Sequence, residues 1–495
     1  MLTGVLVCVA LAPSACSSPS QGTPDAPISP PDAPVVLRTI NGSLNLRFVE
    51  PTTEVTLPAD LSANTVSVLI PPAFTAISGA TTTNGTFSIP SVPQGPYYLK
   101  LGGRYLDLTA DAVDLSYDLL GRPGVRAATT TTNLTFDVTN LSSWQTTDEI
   151  QMICPGSGTI AFGMQSAVST GAPTAAATSL AGFAYDISRA DYPALIDGAA
   201  GDRATVTQLA TQISGARSFR TVARSFTAPS FTVTNGGTAS LTGAFTTVPA
   251  DKTLDAVWDR PAFQAELATR SPGSAAENFS TLAISALPEA STRGFYHSAA
   301  DVVVYAPGYT TDSTQVNASW SYGDPYPVAW SRIAWVRYRK YRFIQLGSAT
   351  PVAIFASLYV YRDLSTISSQ APIVPIIGAV VSPKVNGMDA FATLTGIGTT
   401  PTISWSAPTI GTVSKYYVTV VSVTAPNGAT TLKSIATIET SATQAVVPPG
   451  ILVAGSKYVF YVDARSAGAL DLSAMPNAQT LPEGSSVVTT AMVTP

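Results

Sequence analysis

The sequence predicts an all-β, multi-domain chain: a string of antiparallel β-sandwiches with a few short helices in the central region. Three observations lead there. Charged residues are only 12% of the 495, while apolar residues are 45%, so cores can form but charge-laced helix faces are scarce. Thr, Ser, Ala, Gly and Pro fill the difference, a mix that favours strands and tight turns. Short β-patterned runs recur about every ten residues between Gly- and Asn-rich turns, which is the spacing of sandwiches. The length corresponds to about three domains. A formal net charge of −5 gives no basic footprint for nucleic acid.

Residues 1–16 read Met-Leu-Thr-Gly-Val-Leu-Val-Cys-Val-Ala-Leu-Ala-Pro-Ser-Ala-Cys. An apolar run closed by small residues is an export signal, too short to span a bilayer. Ser14-Ala15-Cys16 resembles the end of a bacterial lipobox, which implies acylation of Cys16. The acyl chain would attach the protein to a membrane without spanning it. Ser17 is similar to the outer-membrane sorting pattern. The expected location is the bacterial cell envelope, outer membrane-anchored or extracellular. The alternatives are a cleaved signal with an incidental cysteine, or a buried strand. Cys154 is then the one cysteine left over, unless a retained, unacylated Cys16 pairs with it. Residues 17–34 hold six prolines and few apolar side chains, the composition of an extended tether.

Residues 35–108 turn to strands, with Val66–Ile70 and Thr86–Ile89 the clearest. Asn84-Gly85 is a type I′ turn signal. The run Asn84-Gly85-Thr86-Phe87-Ser88-Ile89, then Val92-Pro93-Gln94-Gly95, then Tyr97-Tyr98-Leu99 resembles the carboxypeptidase regulatory-like (transthyretin-like) β-sandwich. The resemblance implies a non-catalytic module.

Residues 109–365 form a central β-rich region, read as one domain or two with a break near 247–262. Asp107, Asp111 and Asp114 follow i, i+4, i+7, which on one helix face could hold a hard cation. No Gly-punctuated calcium loop accompanies them, so they and Asp118 are read as the solvent side of a connecting segment. Strands are expected at 133–139, 147–154, 159–164, 230–234, 239–246, 281–286, 301–305 and 316–322. Val206, Leu209, Ala210 and Ile213 fit a helix with Asp202 as N-cap. Pro261–Leu267 fits a short helix with Asp259 or Asp255 near its start.

Residues 366–384 read as a linker into a last domain, 385–495. There Thr402-Ile403-Ser404-Trp405-Ser406-Ala407-Pro408 places a tryptophan in a strand ended by proline, and Tyr416–Val423 alternates as a long strand. Leu452-Val453-Ala454-Gly455-Ser456-Lys457-Tyr458 precedes another strand. These resemble the fibronectin type III fold. The resemblance implies Trp405 as the core tryptophan and Tyr458 as the tyrosine-corner residue. No Arg-Gly-Asp sequence is present, so an integrin loop is not implied.

Reactive chemistry is sparse. A Ser-His-Asp triad would have to use His297, and no Gly-x-Ser-x-Gly elbow supplies a nucleophile. Too few His and Cys residues exist for a zinc site, and no phosphate-cradling loop is found, so neither metal nor cofactor is expected. Asp255 and Asp259, near Trp258, are the carboxylate pair to inspect for glycosidase chemistry.

The concentrated feature is Tyr326–Phe343, where five basic residues lie between Arg332 and Arg342. On a strand, Trp335, Arg337, Arg339, Tyr341 and Phe343 share one face. Arginines interleaved with rings can hold anionic groups while the rings stack on a ligand. Candidate ligand-binding residues are Trp335, Arg337, Arg339, Tyr341 and Arg342. The competing reading has the aromatics packed inward and the arginines facing water. The expected function is a non-catalytic surface lipoprotein for binding or adhesion. Its partners would be the membrane, through the acyl anchor, and an acidic polysaccharide or envelope protein, with no nucleic acid. The alternative is an extracellular glycan-active enzyme with its active site in the central region.

Overall fold

The computed structural model describes residues 36–63, 65–161, 163–164, 169–170, 173–190, 192–288, 299–467 and 474–495. Cys8, Cys16, the tether and His297 lie outside the described residues. The architecture is all-β, built of several sheets with one α-helix and a few single 3-10 turns among the described residues.

The first sandwich packs Ile40, Val68, Phe87, Leu99 and Leu106 at its centre. One sheet joins Leu37–Ser43 to Thr86–Pro93 antiparallel and to Ala112–Asp114 parallel. Asn45–Val49 lies between Glu54–Pro58 and Tyr117–Leu120 in a second. The stretch read as a connecting segment is therefore strand. A strand's two-residue period turns successive side chains to opposite faces, so the four aspartates do not converge. Asp111 pairs with Arg38 at 2.7 Å, Asp118 takes both the Nε and Nη2 of Arg47, Asp114 accepts from Ser43 and Ser116, and Asp107 accepts from Thr440 at 2.8 Å. The Asn84-Gly85 turn also differs from expectation. Gly85 has φ +74° but Asn84 stays at negative φ, whereas type I′ needs both positive. The extra residue in the loop lets glycine alone take the left-handed position.

A second correction concerns residues 205–214. Thr205–Ser214 is a strand paired with Glu149–Cys154 and Arg217–Thr227. Val206 to Thr211 are all buried, so both faces are covered and the apolar spacing loses its period-2 signature. Asp202 caps no helix; its buried carboxylate pairs with Arg122 at 3.0 Å. The strand expected at 230–234 reduces to one bridge, Asp197 to Thr232. The short helix does form, as Arg260–Ala268, with Asp259 accepting from the Ala262 N–H and a proline in the first turn. Val316–Tyr322 pairs antiparallel with Lys252–Trp258.

From Arg217–Thr227 one hydrogen-bonded ladder passes through Ala300–Tyr305, Asn278–Leu287, Ser331–Ile344 and Val352–Asp363. It continues through Glu483–Thr489, Lys457–Ser466, Lys415–Thr424 and Thr431–Thr440 to Arg104–Leu108 of the first sandwich. Residues 366–384 hold no long strand, yet Ile373, Ile377, Ala379 and Val380 are buried along them. In the last sandwich, Ile403 and Trp405 pack against Val418, Tyr458 and Phe460. The Tyr458 hydroxyl accepts the Val453 N–H at 2.9 Å with its ring buried. Tyr458→Phe should therefore lower stability by about 1 kcal/mol, read as a lower urea midpoint with unchanged slope; an unchanged midpoint would remove this bond from the account.

Candidate ligand-binding face

Ser331–Ile344 is paired on both sides, with Asn278–Leu287 and with Val352–Asp363. Residues directly opposite in a sheet point to the same face. One face carries Ala334, Val336 and Tyr338 into the central core, beside Leu358 and Val360. The other carries Trp335, Arg337, Arg339, Tyr341 and Phe343. Register adds Tyr361, Tyr359 and Phe355 from one neighbour and Phe279 from the other. Tyr309 packs edge-on to Tyr341 at 4.9 Å and against Phe279 at 5.4 Å.

Arg342 does not belong to this group. Its even position turns it to the opposite face, where Nη2 donates to the Thr489 carbonyl at 3.0 Å, and burial lowers its pKa. Tyr341 is held by its own hydroxyl, which donates to Glu277 at 2.7 Å. Trp335 donates from Nε1 to Ser285 Oγ at 3.0 Å, and Ser285 donates on to Asp301 at 2.5 Å.

Arg337 and Arg339 rest on rings rather than on carboxylates. Among the described residues neither forms an ion pair within 4.0 Å, and the Nε of each is buried without a hydrogen-bond partner. Arg337 lies over the Phe279 ring at 4.9 Å and reaches Thr281 Oγ1 at 3.4 Å. Arg339 lies over Phe355 at 5.0 Å and Tyr359 at 5.6 Å, and donates to the Tyr359 hydroxyl. Burial, then the charge of Arg339, lowers the pKa of Arg337. Asp301 feels the charge of Arg337 but makes no ion pair with it.

The face is part wall and part open platform. At one end Tyr361 is buried, and Val49, Leu120 and Leu481 pack with Trp335, Tyr359 and Tyr361. A backbone contact between Gly121 and Gly158, where a Cβ on either would meet the backbone of the facing segment, seats this edge of the first sandwich. At the other end Phe343 is 62% and Tyr309 57% exposed. The competing reading, with aromatics packed inward, thus holds for the Trp335–Tyr361 end and for the buried Tyr341. Sequence reasoning missed Phe279, Tyr309, Phe355, Tyr359 and Tyr361. The alternation Phe355-x-Ser357-x-Tyr359-x-Tyr361 was visible, but the register joining it to the arginines was not.

Other candidates fall elsewhere. Asp259 caps its helix and Asp255 accepts from Ser369 at 2.7 Å. Cys154 is buried and unpaired, and burial pushes its thiol up to about 11, so it is a poor nucleophile at neutral pH. No helix among the described residues is long and apolar enough to cross a membrane. No family model matches the chain, and no curated protein is found to be similar to it.

At the Trp335 end of the face, burial and then the neighbouring Glu149 push Asp301 up to about 7, against the favourable hydrogen bond from Ser285. A carboxyl whose pKa is raised on folding supports the fold below its unfolded value and loses that contribution as pH rises through the folded one. Wild-type stability should therefore fall, relative to Asp301→Asn, between about pH 4 and 7. Parallel stability–pH curves for the two proteins would contradict this.

Proposed function

We propose that the chain is a non-catalytic surface lipoprotein of the bacterial envelope, a binding or adhesion protein whose platform takes an anionic glycan. The single observation that carries this reading is the pair Arg337 and Arg339: two partly desolvated cations, seated on aromatic rings and given no carboxylate among the described residues. A surface arginine normally finds water or a cross-strand acid; burying part of an unpaired cation costs free energy. That cost is offset when an external anion completes the site. Guanidinium groups accept sulfate, phosphate or carboxylate through charge-assisted hydrogen bonds. The neighbouring rings offer flat apolar area to sugar faces.

The remaining parts of the proposal follow the sequence. Cys16 carries the acyl anchor, residues 17–34 hold the protein away from the membrane, and a carboxypeptidase regulatory-like sandwich and a fibronectin type III-like sandwich flank the binding region. The buried Trp405 and the Tyr458–Val453 hydrogen bond support the second of these resemblances.

The test is retention of the full chain on immobilised acidic and neutral polysaccharides at increasing salt. Retention should be selective for acidic polymers, fall with salt, and drop at least about tenfold in affinity in Arg337→Gln/Arg339→Gln, since each charge-assisted bond contributes roughly 1.5–3 kcal/mol. Equal retention of the double variant, or binding only to envelope protein, would overturn the proposal.

A further inference from the structure

A cavity of about 510 Å³ opens on the same sheet face as the platform, between Tyr117 and Asp118 of the first sandwich and Tyr417, Arg465 and Glu483 of the ladder. Register places these together. Arg337 lies opposite Tyr359, Tyr359 opposite Ser485, and Ser485 opposite Arg465. On one side of this row Tyr361 lies opposite Glu483; on the other side Asp463 lies opposite Tyr417. From the strand of Phe279 to that of Tyr417 there are five strand-to-strand steps, about 24 Å at the usual spacing. Ser357 and Ser485, both small and buried, lie between the ring-bearing positions on either side. Val49, Leu120 and Leu481 wall the Trp335–Tyr361 side.

The two ends differ in chemistry. At the platform, Arg337 and Arg339 present positive charge without counter-ions. In the cavity, charges of both signs are already balanced. Arg465 holds Asp463 at 2.8 Å and stacks on Tyr417 at 4.5 Å, and Asp118 is held by Arg47. Tyr117 makes no side-chain hydrogen bond among the described residues and is 39% exposed. A balanced, polar, ring-bearing cavity suits hydroxyl groups, which both donate and accept, and its volume is that of a small-ligand site.

Resting on the platform as the binding site, we infer that platform and cavity are the two ends of one track, which takes a linear anionic polysaccharide laid across the strands. The platform holds its acidic groups and the cavity holds its hydroxyl-bearing sugar rings. Two contact regions joined by one ligand chain reinforce each other when the chain is long enough to span both.

The experiment measures affinities of the full chain for size-fractionated oligogalacturonates and sulfated dextran oligosaccharides, from disaccharide to octasaccharide. Wild type, Tyr117→Ala, Tyr117→Phe and Arg337→Gln/Arg339→Gln are compared. Wild-type affinity should rise about tenfold or more once the ligand spans the track. Tyr117→Ala should lose that increment while binding short ligands as wild type does, Tyr117→Phe should keep it, and the arginine variant should weaken binding at every length. The carboxylate and sulfate arms identify which anion the platform takes. Affinity independent of length, or a Tyr117→Ala protein with the full increment, would overturn the track while leaving the platform intact. Short-ligand affinity unaffected by the arginine variant, or no binding of either probe, would overturn the platform and the track with it.

Discussion

The twelve-residue antiparallel pairing between 333–344 and 352–363 is the constraint on which the rest of the binding face depends. Side chains alternate along a strand that has no bulge, as this pairing has none, and cross-strand partners share a face. Once this register is set, Trp335, Arg337, Arg339, Tyr341 and Phe343 must lie beside Tyr361, Tyr359 and Phe355. A slip of one residue would send the arginines into a core built of Val336, Tyr338, Leu358 and Val360, where unpaired charge costs several kcal/mol. The core therefore selects the register, and the register assembles the platform. Pairing on the far side with Asn278–Leu287 adds Phe279 and keeps this strand from being an edge.

Energetically the platform is held together by rings rather than by ion pairs. Arg337 over Phe279 and Arg339 over Phe355 and Tyr359 are cation–π contacts, each contributing about 0.5–1 kcal/mol when exposed. Such contacts orient a guanidinium without neutralising it. Elsewhere the fold treats its cations differently. Lys415 is buried against Glu439 at 2.7 Å, and Arg332 is fixed by Asp324 at 2.5 Å. Arg337 and Arg339 differ from these two in resting on rings rather than on carboxylates.

Much of this was legible in the sequence, and the reasons are specific. Arg337-x-Arg339-x-Tyr341-x-Phe343 has the period of a strand, so the shared face followed from spacing alone. Tyr458 and Trp405 were legible because short local motifs fix them, as Asp259 was through its position before Pro261. Residues 206–213 were misread because a strand buried on both faces carries no alternation, and a chance i, i+3, i+4, i+7 spacing remained. Arg342 was grouped with its neighbours by proximity, although its parity already set it apart. The acids from Asp107 to Asp118 find partners such as Arg38, Arg47 and Thr440 at sequence separations above 70 residues. No local pattern encodes such pairings, nor the approach of Tyr309 to Tyr341.

The most direct measurement of the central claim is hydroxyl-radical footprinting of the full chain with and without an acidic polysaccharide, using a neutral one as control. Tyr309 and Phe343, the exposed rings of the platform, should lose reactivity with the acidic polymer and keep it with the neutral one, while the exposed Tyr192, which lies off the platform, stays unchanged. Unaltered reactivity at Tyr309 and Phe343 under conditions of saturating binding would contradict the account.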